Sequence, residues 1–159
     1  MAKPLKSLKE ELKQNKPWRS LEEEAALNVA RTSAVLEHAL AQALKPFDIT
    51  QTQYNVLRIL RGAGDAGLCR NEVGARLIRR VPDVTRLLDR MEQMALIARV
   101  RGNDDRRYVS THITAKGLAI VDRLDKEICA IHRQHLGHLD KAQLEQLVSL
   151  LTLARNGPD

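Results

Sequence analysis

Ten arginines and not one lysine fall between residues 70 and 107, at positions 70, 76, 79, 80, 86, 90, 99, 101, 106 and 107. Six acidic residues lie among them, which leaves the stretch at net +4. A guanidinium is a planar fork of donors that bonds bidentately to phosphate oxygens and to the guanine edge, so this residue type at this density points to duplex nucleic acid. Asp104 or Asp105 is suited to hold a neighbouring arginine by a charge-assisted hydrogen bond. The whole chain of 159 residues is basic, with formal charge +6 and a pI near 9.6, which also suits an acidic partner.

Other chemistry finds weaker support. His132, His135 and His138 recur every third residue, a spacing at which two histidines share a helix face, but no cysteine or carboxylate cluster joins them. They read as polar surface histidines, with no metal site. Cys69 stands beside Arg70 near a helix start, a setting suited to a reactive thiol, but an inert thiol is the simpler reading; Cys129 reads as packing on an apolar stripe. No nucleophile setting and no phosphate-cradling glycine loop occurs, so catalysis and a bound cofactor are not implied.

The elements that must position the arginines follow from periodicity. Residues 1–19, with six Lys/Arg against two Glu, read as a mobile basic arm, in part helical. Ser20 with Glu23 forms a capping box for a helix over about 20–46, and Thr50 with Gln53 another for a helix over about 51–61. Glycines at 62, 64 and 67 break the pattern. A short helix spans about 70–78, with Val73 and Leu77 inward, and Arg79 and Arg80 lie in the connector that follows. Pro82 precedes a helix over about 83–94 that buries Leu87, Leu88 and Met91. The period then drops to two through Ile97–Arg101 and again through 108–113, around a Gly-Asn-Asp-Asp turn, which is a β-hairpin. Thr114 and Asp140 cap two final helices, about 115–136 and 141–154.

The order is that of a mainly α winged helix-turn-helix with a two-stranded hairpin wing and helical extensions at both ends. A helix of about three turns fits the major groove, and a hairpin tip reaches the adjacent minor groove. The run Ile49-Thr50-Gln51-Thr52-Gln53-Tyr54-Asn55-Val56-Leu57, then Asp83-Val84-Thr85-Arg86-Leu87-Leu88-Asp89-Arg90-Met91-Glu92, the Asp104-Asp105-Arg106-Arg107 turn and Ile113-Thr114-Ala115-Lys116-Gly117 together resemble the MarR (multiple-antibiotic-resistance regulator) family. The resemblance covers about residues 20–155. It departs at Ala95, where the family usually has glycine, and at Gly74, which should weaken its short helix.

The resemblance implies a recognition helix at 83–94 with Asp83, Thr85, Arg86 and Arg90 at the duplex, Arg79 and Arg80 beside it, and Asp105, Arg106 and Arg107 in the wing. It implies a winged-helix domain at 48–114, a dimerisation region made of 20–47 and 115–155, and a homodimer on a near-palindromic operator. It also implies a repressor relieved by a small acidic or phenolic ligand. Two alternatives stand beside it: a sensor on the same scaffold switched by a metal or by a thiol, and a winged-helix module that binds protein. With two cysteines, no signal-like start and no membrane-length apolar run, the expected setting is the cytoplasm.

Overall fold

In the computed structural model, residues 6–101 and 109–157 are described. The chain divides into two compact units, Met1–His38 and Ala39–Asp159. In the first, Ser7 and Glu10 form a reciprocal capping box for a one-turn helix α1 (Leu8–Glu11). Leu8 is buried, and Glu11 pairs with Arg31 of α2 (Leu21–Leu44) at 3.3 Å. The stretch expected to be a mobile arm therefore contains a capped and anchored turn. Ser20 caps α2 through the Glu23 amide (3.2 Å), while the Glu23 carboxylate reaches one residue further back, to the Arg19 amide (2.7 Å).

In the second unit the chain passes through a 3₁₀ turn, Lys45–Phe47, to α3 (Gln51–Ala63), which Thr50 and Gln53 cap as expected. Leu57, Leu60 and Val56 of α3 are fully buried against Val73 of α4 (Arg70–Arg76), Leu88 and Met91 of α5 (Val84–Gln93), and Val121 and Leu124 of α6 (Ala115–Leu136). Each large side chain in that cluster contributes roughly 1.5–3 kcal/mol by leaving water. Arg61 of α3 fixes α6 as well, through Asp125 (2.7 Å) and Asp122 (3.1 Å). The terminal helix α7 spans Lys141–Arg155.

The two strands of the expected hairpin pair antiparallel, and the sheet adds a third, short strand to them. It has three antiparallel strands in the order β1 (Leu68–Cys69), β3 (Val109–Ile113), β2 (Ile97–Arg101). Leu68 pairs with Thr111, and Cys69 with Ser110. Two residues are too few to show an alternating pattern, so β1 is invisible to periodicity and is set up by Gly67 at φ +63 just before it. The short helix also ends earlier than its apolar spacing suggests. Leu77 is extended, and Asn55 of α3 accepts the Ile78 amide at 2.9 Å, drawing the chain out of the helix. Gly74 lies where α4 crosses α5: a Cβ there would stand 3.2 Å from a Val84 methyl, so the glycine permits a close approach. Cys129, expected in the packing, is exposed on α6.

Candidate nucleic-acid interface

Helix α5 is ten residues, about 15 Å long, with Leu88 and Met91 buried and Thr85, Arg86 and Arg90 exposed. Arg86 and Arg90 are one turn apart and share a face. Asp83 is the N-cap: its carboxylate accepts the Arg86 amide at 2.9 Å, which fixes where the helix begins. Arg79 and Arg80 are exposed in the connector before α5. The fold thus brings Arg79, Arg80, Asp83, Thr85, Arg86 and Arg90 into one connector and one helix. Asp105, Arg106 and Arg107 lie outside the described residues.

The far end of α5 is closed by a Schellman turn. The Leu96 amide donates to the Met91 carbonyl (3.0 Å) and the Ala95 amide to the Glu92 carbonyl (2.8 Å). Ala95 occupies the left-handed position of this turn, at φ +56, where glycine is the unstrained choice. The start of α6 then takes up the turn. The Thr114 amide donates to the Leu96 carbonyl (3.1 Å), its hydroxyl lies 2.8 Å from the Ala95 carbonyl, and Lys116 Nζ reaches the Met94 carbonyl (2.8 Å). Gly117 donates its amide to Thr114 Oγ1 at 3.1 Å, and a Cβ at Gly117 would collide with the Leu96 carbonyl oxygen. The Thr-x-x-Gly pattern is thereby explained: the threonine caps α6, and the glycine lets α6 rest on the end of α5.

Two arginines missed as site residues shape the interface from within. Arg99 of β2 reaches across to α5, its guanidinium 2.5 Å from Glu92 Oε2 and 2.6 Å from Asp89 Oδ1, while its own amide donates to Glu92 Oε1 at 3.1 Å. Hydrogen bonds from Arg99 hold the Glu92 carboxyl below its ordinary range, and the Arg99 guanidinium is raised in turn. Arg70, exposed at the start of α4, donates to the Thr85 hydroxyl at 3.1 Å. Both arginines are visible in the sequence as charges. Their partners lie on other elements, so sequence spacing carries no signal of the pairing.

Between α4, α5 and the sheet is a cleft of about 410 Å³ lined by Cys69, Arg70, Thr85, Leu88, Arg99 and Thr111, among others. Cys69 is half-buried, and the Glu72 carboxylate accepts its amide at 2.8 Å, which lowers the Glu72 pKa. His132 and His138 are exposed, and among the described residues no group of three His, Cys, Asp or Glu side chains is placed to hold a metal ion. No helix among the described residues is long and apolar enough to cross a membrane.

A helix pair whose second member presents a basic, polar face, followed by a wing rooted in a small sheet, defines a winged helix-turn-helix protein. The MarR family profile matches residues 49–109. A MarR transcription factor from Planctomyces limnophilus is 32% identical, with 86% of this chain and 99% of that one aligned at a TM-score of 0.65. MepR of S. aureus in its DNA complex is 25% identical, covering 82% and 96%, at a TM-score of 0.75. The homoprotocatechuate degradative operon repressor of Escherichia coli is 27% identical over 108 residues, 68% of this chain and 72% of that one. The chain belongs to the MarR family: it is a DNA-binding transcriptional regulator and not an enzyme.

Proposed function

We propose that this protein is a homodimeric repressor that lays α5 of each protomer in the major groove of a near-palindromic operator, and that a small acidic or phenolic ligand releases it. The observation that carries the reading is the exposed Thr85–Arg86–Arg90 face of α5, held at one end by the Asp83 cap and at the other by Thr114 and Gly117. A rigid helix presenting hydroxyl and guanidinium groups is suited to base edges and phosphates alike. In this reading Arg79 and Arg80 meet the flanking backbone, and Asp105, Arg106 and Arg107 serve the wing in the minor groove.

Dimerisation is supported by α7. None of its fifteen residues is buried, and Val148, Leu150 and Leu153 are 65%, 56% and 65% exposed. Apolar side chains so placed on a terminal helix are suited to a partner's matching surface. Repression is supported by the E. coli relative, itself a repressor of a degradative operon. Relief by a ligand is supported by the cleft beneath α5, which offers the Arg99 and Arg70 guanidiniums and the Thr85 hydroxyl to a small carboxylate. A ligand acts in this way only if it binds the DNA-incompetent state more tightly.

The test is direct. Sedimentation equilibrium is expected to give a dimer. Selection from a random duplex pool should return an inverted repeat with half-sites about one helical turn apart. Placing that duplex over a reporter promoter should lower expression, and phenolic acids should restore it. A monomer, or a selected pool without symmetry, refutes the dimeric reading; reporter activity unchanged by the protein refutes repression.

A further inference from the structure

The contact between Arg70 and Thr85 gives the recognition surface a specificity of its own. A threonine hydroxyl can donate or accept, so alone it does not distinguish a base edge that accepts from one that donates. Here Arg70 Nη1 donates to Thr85 Oγ1 at 3.1 Å. One oxygen lone pair is thus taken by a cation, and among the described residues the hydroxyl proton has no acceptor of its own. Arg70 is itself held, since its Nε and Nη2 lie 3.4 and 3.3 Å from Asn71 Oδ1. The chain Asn71–Arg70–Thr85 crosses from α4 to α5, linking residues fifteen positions apart. A charged donor on one side of a hydroxyl strengthens it as a donor on the other.

We infer that Arg70 is a specificity-determining residue that acts through Thr85: by occupying one of the two acceptor sites on Oγ1 and placing a cation beside the other, it biases the hydroxyl toward donating, so that this position favours base edges presenting an acceptor, such as purine N7, guanine O6 or thymine O4, over the amino group of cytosine. This rests on the reading of Thr85 as a base contact, and it adds a positioning role for a residue on the other helix of the motif.

The experiment is selection from a random duplex pool with the full-length protein and with Arg70→Ala, Asn71→Ala, Arg70→Lys, Thr85→Val and the Arg70→Ala/Thr85→Val pair, followed by anisotropy on the recovered duplexes. Arg70→Ala should erode the preference for acceptor edges at one symmetry-related pair of base pairs, by about fivefold for one lost hydrogen bond, and leave the other positions as they were. Thr85→Val should flatten the same positions, and the pair should flatten them no further. Asn71→Ala, which leaves the arginine in place but unbraced, should produce a partial loss; Arg70→Lys, which keeps a charged donor, should retain the preference. If Arg70→Ala weakens binding to every duplex equally and the preferences survive, Arg70 only meets phosphate and the inference is wrong. If Thr85→Val also leaves every preference intact, Thr85 reads no base and the reading beneath it falls too.

Discussion

Replacing Arg99 by glutamine removes the strut between the wing and the recognition helix. Three contacts are lost: Nε to Glu92 Oε2 at 2.9 Å, Nη2 to the same oxygen at 2.5 Å, and Nη2 to Asp89 Oδ1 at 2.6 Å. The arginine side chain is 28% exposed and its partners 48% and 39%, so each pair is screened by water and is worth about 0.5–1 kcal/mol. Asp89 and Glu92 are then left as an unrelieved like-charge pair three residues apart, which adds a few tenths of a kcal/mol. The expected loss is about 1.5–2 kcal/mol, or about 3–8 °C in Tm for a chain of this size at fixed protein concentration. The assay is urea denaturation followed by circular dichroism between pH 3 and 7, with Asp89→Asn and Glu92→Gln completing double-mutant cycles. The sign of the pH effect follows from Glu92, whose folded pKa lies below the ordinary 4.5 because Arg99 bonds its ionised form. Its contribution is complete above about pH 4.5 and disappears as the pH falls through the lowered native value. Wild type and variant should therefore converge in acid. A loss under 0.5 kcal/mol at pH 7, or a gap that persists undiminished at pH 3, would refute the strut.

Three further outcomes are expected. Gly117→Ala should destabilise by about 2–3 kcal/mol in chemical denaturation, since the new methyl meets backbone at Leu96 as well as Ile113 and Leu57 at 3.0 Å, and DNA affinity should fall because the end of α5 is displaced. Ala95→Gly should stabilise by about 0.5–1 kcal/mol, the left-handed strain removed less the greater entropy of glycine, and a lower Tm would contradict the Schellman assignment. Leu153→Asp, a fully tolerable change on an exposed face of the monomer, should convert a dimer to a monomer in sedimentation, and an unchanged mass would move the interface elsewhere.

The legible parts of the fold were those with local causes. Thr50, Thr114 and Asp140 announce helices through side chains that bond amides three residues on, so each boundary could be read from a few residues. The illegible parts have distant causes. β1 exists because β3 offers its edge to Leu68 and Cys69, α4 stops because Asn55 on another helix takes the Ile78 amide, and Gly74 is required by Val84 on its neighbour. The candidate site divides in the same way. The arginine density marks the region, but which arginines face outward depends on tertiary partners: Asp89 and Glu92 turn Arg99 inward, while Arg86 and Arg90 remain exposed. The Ala95 departure was legible as an oddity, and the structure gives it a conformation.

The exposed face of α5 is expected to bind duplex DNA. The most direct test is fluorescence anisotropy of a selected duplex over a range of salt, for wild type and for Arg86→Ala/Arg90→Ala. Wild-type affinity should fall steeply, with log K against log[salt] having a slope of about −0.9 per phosphate neutralised, and the double variant should bind at least about tenfold more weakly with a shallower slope. Equal affinities and equal slopes for the two proteins would show that Arg86 and Arg90 do not meet the duplex.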